Sequence, residues 1–174
     1  MADAPDFIDL DRHLHLRGIS FDRRPRRLVL LLILAVVVLG LFNVFGQRPE
    51  HIYANAPQAQ LELYAPSHLR GGLLYEARFT ITAHKDIGNA VLVFSPGWNE
   101  GQQMNTLEPV PLGQGSHNGD MILTFGHIPA GQKYRFFMQF QVDATNVGRR
   151  RADVSLFDRG TKLLTIHRTL TFYP

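Results

Sequence analysis

Residues 133–142 read KYRFFMQFQV, and their alternation decides the fold. Tyr134, Phe136, Met138, Phe140 and Val142 fall on one side of an extended chain, and Lys133, Arg135, Gln139 and Gln141 fall on the other. Successive side chains of a strand point to opposite faces of a sheet. A period of two with one apolar set therefore marks a strand buried on one face only, as in antiparallel sheets. The stretch 73–83, LLYEARFTITA, repeats the pattern, with Tyr75, Ala77, Phe79 and Ile81 set against Glu76, Arg78, Thr80 and Thr82.

Working outward, further strands are expected at 58–64, 90–95, 120–125, 152–158 and 162–173. Gly-, Pro- and Asn-rich turns separate them, and no helical period occurs after Gly46. Seven or eight short strands in residues 58–174 fit an all-β fold, an immunoglobulin-like antiparallel β-sandwich. In the last strand Arg168 interrupts the inward set Leu164, Ile166, Leu170 and Phe172. A lone buried cation is costly, so a bulge, an edge position or a partner carboxylate is expected there.

The segment LTFGHIPAGQKYRFFMQFQV, with its Ile128-Pro129-Ala130-Gly131 turn between two strands, resembles the bacterial immunoglobulin-like domains of cell-surface and extracytoplasmic proteins. The whole chain also resembles small single-pass membrane proteins of high-GC Gram-positive bacteria. The resemblance implies a fold and a location rather than a reaction.

Leu28 to Gly46, LVLLLILAVVVLGLFNVFG, carries no charge over 19 residues. As a helix it measures about 28 Å, close to the hydrocarbon thickness of a bilayer. Arg23, Arg24, Arg26 and Arg27 precede it, so the N-terminus is expected on the cytoplasmic side and the C-terminal domain outside the plasma membrane. The run is longer than a signal-peptide core and lacks a small-residue cleavage site directly after it, which favours an uncleaved anchor. Four segments follow: a cytoplasmic tail at 1–27, a transmembrane helix at 28–46, a polar connector at 47–57 and the outer domain at 58–174. In the tail, Phe7, Leu10, Leu14 and Phe21 approximate one helical face, suited to a membrane surface or a partner. His13 and His15 lie two apart, a spacing that does not converge on one metal from a helix.

The 174 residues hold no cysteine, which excludes disulfides, thiolate metal sites and a cysteine nucleophile. The formal net charge is +3, and the basic residues are not gathered on one face, so nucleic acid is not an expected partner. Ser116 in GQGSHNG is not a Gly-x-Ser-x-Gly elbow and reads as part of a turn with His117. Glu100 and Glu108 share a loop without the context of an acid–base pair. A cuprous site from His117, Met121, His127 and Met138 is the alternative reading, because membrane-anchored copper chaperones share this architecture. Those rely on a cysteine motif that is absent here, and no cofactor is expected.

Two segments stand out as partner-binding. Trp98, the sole tryptophan, sits in the loop SPGWNEGQQMNTLEPVP with Met104 and Asn105 nearby; it either folds back to plug the open end of the sandwich or anchors an interface, where tryptophan is favoured at hot spots. Arg149, Arg150 and Arg151 form a basic tip, either a solvated hairpin end or a contact for anionic lipid, a cell-envelope polymer or an acidic partner face. If the long loop hides a strand near 103–108, counting alternate strands puts Trp98 and the arginines at opposite ends of the sandwich. The expectation is a non-enzymatic accessory, scaffold or binding subunit. It would be anchored in the bilayer and engage another membrane or envelope protein. Metal handling or assembly of a membrane complex is the alternative.

Overall fold

The computed structural model describes residues 19–42 and 47–174. The chain divides into two units, 1–45 and 46–174. The described part of the first is the helix α1 (Ile19–Leu41). It begins inside the segment expected as a cytoplasmic tail. Its uncharged stretch, Leu28–Leu41, is 14 residues, about 21 Å long. Among the described residues no helix is long and apolar enough to cross a membrane. Residues 43–46 of the apolar run, and the tail residues Phe7, Leu10, His13, Leu14 and His15, lie outside the described residues.

The second unit is all β. In chain order its strands are β1 (Pro49–Asn55), β2 (Ala59–Pro66), β3 (His68–Arg70), β4 (Leu74–Ala83), β5 (Ile87–Phe94), β6 (Gln102–Glu108) and β7 (Gly113–His117), followed by β8 (Asp120–Ile128), β9 (Lys133–Val142), β10 (Gly148–Arg151), β11 (Val154–Asp158), β12 (Thr161–Ile166) and β13 (Thr169–Tyr173). One five-stranded sheet runs β1-β2-β4-β9-β6, a second runs β12-β11-β5-β8-β7, and a three-stranded sheet runs β10-β13-β3. The pairings are antiparallel except β13–β3, which is parallel.

The alternating sets form the core as the periodicity demands. Phe79, Ile81, Phe136, Met138 and Phe140 of the first sheet are buried with Leu92, Phe94, Leu123 and Leu156 of the second. Phe79 and Phe136 stack at 4.7 Å between ring centroids, and Phe94 meets Phe79 edge-on at 5.4 Å. The two inner faces form a single hydrophobic cluster, which makes the unit a β-sandwich.

Thirteen strands replace the seven or eight expected, for identifiable reasons. The connector 47–57 is largely the strand β1, paired with β2 over its whole length, with Ile52 and Ala54 turned towards the core. The segment 162–173 is two strands that belong to different sheets. The turn-like GQGSH is the edge strand β7, and the arginine tip is β10. The suspected strand near 103–108 is β6. Its alternation is obscured by a bulge between Met104 and Thr106, so its core-facing positions are Gln102, Met104 and then Leu107.

Candidate functional site

Trp98 does not face a partner. It ends a short 3-10 turn, Pro96–Trp98, and is fully buried. Its ring lies 5.6–5.7 Å from those of Phe79, Phe94 and Phe140. The indole N–H donates to the Ala152 carbonyl at 3.0 Å. A side chain so enclosed cannot anchor an interface without opening the core, so Trp98 is a structural plug. Met104 is half-buried against the core, and Asn105 is the exposed extra residue of the β6 bulge.

The arginines lie at the same end of the sandwich as Trp98. Arg150 donates to Glu100 at 3.1 Å and to the buried Asn146 at 2.8 Å, and Arg151 pairs with Asp153 at 2.6 Å. The Ser95 hydroxyl donates to the Arg151 carbonyl at 3.2 Å. Gly97 packs so closely beneath Arg151 that a Cβ there would strike its carbonyl. The two-ended arrangement therefore fails. Two strands were hidden, β6 and β7, and the second reverses the parity. Arg149 is exposed, while Arg150 and Arg151 are neutralised within the fold.

The same end buries Arg168, whose cation sits 5.6 Å over the Trp98 ring. Its Nη2 donates to the Pro66 carbonyl, while Nε and Nη1 have no hydrogen-bond partner among the described residues. Burial pushes its pKa down to about 10, against the favourable fields of Tyr75 and Glu50. The Tyr75 hydroxyl donates to Gln102 at 2.8 Å, and Gln102 donates to the Trp98 carbonyl at 2.7 Å. Trp98, Gln102, Tyr75 and Arg168 thus form one buried polar network that fixes this end of the core.

The outer face of the sheet β1-β2-β4-β9-β6 is different. A groove of about 790 Å³ opens there, lined by side chains from β1, β2, β4, β6 and β9. Register sets them in two rows. Across the first run His51, Tyr64, Arg78, Phe137 and Glu108, each opposite the next. Across the second run Tyr53, Glu62, Thr80 and Arg135. His51 shares a 2.8 Å hydrogen bond with Glu62, and its ring packs on Tyr64 at 4.4 Å. Tyr53 donates to the same carboxylate at 3.3 Å. The Arg78 Nε is held by Glu76. Among the described residues Arg135 and Glu108 have no ion-pair partner.

Arg78, Thr80 and Arg135 were legible in the sequence as the polar side of two strands. Phe137 was missed, because the apolar character of FFMQF masks an outward aromatic between two inward ones. Their assembly into rows depends on strand order, which a single sequence does not disclose.

The cuprous alternative does not assemble. Met121 and Met138 are buried, and His117, which pairs with Asp120, and His127 lie near opposite ends of β8, roughly 23 Å apart at strand rise. His127 instead shares a 2.7 Å contact with Asp86. Among the described residues no group of three or more His, Cys, Asp or Glu side chains is placed to hold a metal ion. Ser116 lies in edge strand β7 opposite Met121.

No protein-family model and no curated protein matches the chain. Among solved structures it is similar to a non-cellulosomal cohesin from the archaeon Archaeoglobus fulgidus, at 13% identity over 73% of this chain and 92% of that one, with a TM-score of 0.40. It is also similar to the sporulation control protein Spo0M from Bacillus subtilis, at 12% identity over 70% of this chain and 51% of that one, with a TM-score of 0.38. A von Willebrand factor type A protein from Catenulispora acidiphila matches at 13% identity over 51% of this chain and 24% of that one, with a TM-score of 0.33.

Proposed function

We propose that the chain is a non-enzymatic binding subunit. In this reading a single N-terminal helix holds it in the plasma membrane and an immunoglobulin-like sandwich is displayed outside. The observation that carries the binding role is the groove on the sheet β1-β2-β4-β9-β6. It is a concave surface where aromatic faces and charged groups from five strands converge without being absorbed into the core, the pattern expected of a ligand site. The anchoring role rests on the uncharged run of residues 28–46 and the four arginines before it.

The test is photo-crosslinking of the full chain in native membranes. A benzophenone side chain replaces Phe137 in the groove, and in a control it replaces exposed Lys162 on the other sheet. Adducts formed from position 137 and not from 162 support the reading, whether the captured species is protein, lipid or glycan. Matching yields from the two positions, or recovery of the chain outside the membrane fraction, overturn it.

A further inference from the structure

We infer that the groove binds an acidic glycan, with pyranose rings stacked on Tyr64 and Phe137 and carboxylates held by Arg78 and Arg135. This rests on the reading of the sheet face as a ligand site and adds the ligand's chemistry.

The argument begins with spacing. Tyr64 on β2 and Phe137 on β9 occupy one row with Arg78 on β4 between them. Neighbouring strands lie about 4.8 Å apart, so the two aromatic positions are separated by about 10 Å, the reach of two linked pyranose rings. An aromatic face suits the C–H face of a sugar, because the ring's negative quadrupole attracts the weakly positive hydrogens. Both aromatic residues are half-buried, which holds their rings against the sheet and lowers the ordering cost of stacking.

Charge then selects among sugars. Phe137 has a guanidinium on two sides and the Glu108 carboxylate on a third. Arg78 lies directly across the strand pair, and Arg135 lies two residues away on the same face of β9. Either reaches the edge of a ring stacked on Phe137. Guanidinium groups grip carboxylates bidentately. Carboxylates stand in the same rows, so the ligand's acid groups are placed on the Arg78 and Arg135 sides of Phe137, away from Glu108 directly opposite it on β6. Glu62 is occupied by His51 and Tyr53 under the first aromatic platform, and Glu76 takes only the Nε of Arg78. Glu108 closes the far end of the row, where it accepts from sugar hydroxyls. Arg135 is exposed and has no ion-pair partner among the described residues. A cation left unpaired beside an aromatic surface is the feature that a neutral glycan leaves unused.

The experiment is calorimetric titration of the full chain in detergent with acidic hexasaccharides (oligogalacturonate, oligo-alginate and hyaluronan). Controls are a carboxyl-reduced hexasaccharide and poly-glutamate of similar charge. At least one acidic hexasaccharide should bind at least about tenfold more tightly than its neutral counterpart, the effect of a single charge-assisted contact. Arg135→Gln and Arg78→Gln should each lose about tenfold or more, and Phe137→Leu should lose binding while the unfolding midpoint stays within the wild-type range. Arg149→Gln, on the three-stranded sheet, should change nothing. Equal affinity for the carboxyl-reduced sugar overturns the acidic preference, and equal affinity for poly-glutamate overturns the glycan. No acidic hexasaccharide binding below about 1 mM overturns the proposal outright. Adducts from position 137 could still stand in that case, so failure here is distinguishable from failure of the binding role.

Discussion

Trp98 shows why a residue type alone does not decide between interface and core. Its loop is rich in Pro, Gly and Asn, yet the indole is buried among three phenylalanine rings and donates to the Ala152 carbonyl. Trp98→Ala should therefore destabilise the sandwich by about 3–5 kcal/mol, the usual cost of emptying an aromatic site, as read by urea unfolding of the full chain in detergent. A loss under about 1 kcal/mol would contradict the plug. Asp153, at the same end, predicts a pH effect. Burial pushes its carboxyl up, but the contacts from His167, the Arg168 backbone N–H and Arg151 outweigh that and hold it below the usual carboxylate range. A carboxylate whose folded pKa lies below its unfolded one adds stability above the unfolded value and loses it as pH falls through the folded one. The unfolding midpoint should thus drop on acidification below about pH 4. In Asp153→Asn it should be lower at neutral pH and change less with acid. Parallel profiles for the two proteins would remove Asp153 from the account.

Strands with a clean period of two could be read from the sequence, and strands without one could not. β4 and β9 carry an uninterrupted inward set, so their burial follows from the alternation alone. β7 has no apolar residue to alternate, because it is an exposed edge strand held only by its ladder with β8. β10 was masked by charge. Its Arg150 and Arg151 pair with acids of this chain, a tertiary fact that no local pattern carries. The cost was an error of parity, which placed Trp98 and the arginines at opposite ends. The corrected arrangement predicts distances between spin labels. Asn99 and Thr145 lie at one end of the sandwich and Gln132 at the other, and the ten residues of β9 span about 33 Å. Labels at 99 and 145 should be much closer than labels at 99 and 132. The reverse order would restore the two-ended arrangement. The groove was half legible for the same reason. Alternation put Arg78, Thr80 and Arg135 on outward faces, but only the strand order β1-β2-β4-β9-β6 gathers them beside Tyr64 and Phe137.

In the proposed anchored chain, the orientation of the helix decides whether the groove faces the cell envelope or the cytoplasm. The proposed anchor rests on 19 uncharged residues at 28–46 preceded by Arg23, Arg24, Arg26 and Arg27. Basic residues flanking a span are retained on the cytoplasmic side, and only Arg48 stands close on the other flank. Protease added to intact spheroplasts should therefore digest the sandwich and spare a tag on the N-terminus. Carbonate washing should leave the chain in the membrane pellet. Replacing the four arginines with glutamine removes the asymmetry, so a measurable fraction of that variant should show a protected sandwich. Arg135→Gln serves as the control, because it alters the groove and leaves the flank intact, and its topology should match the wild type. A protected C-terminal domain in the wild-type chain would place the groove on the cytoplasmic side. It would then be withdrawn from envelope glycans whatever its affinity for them in detergent.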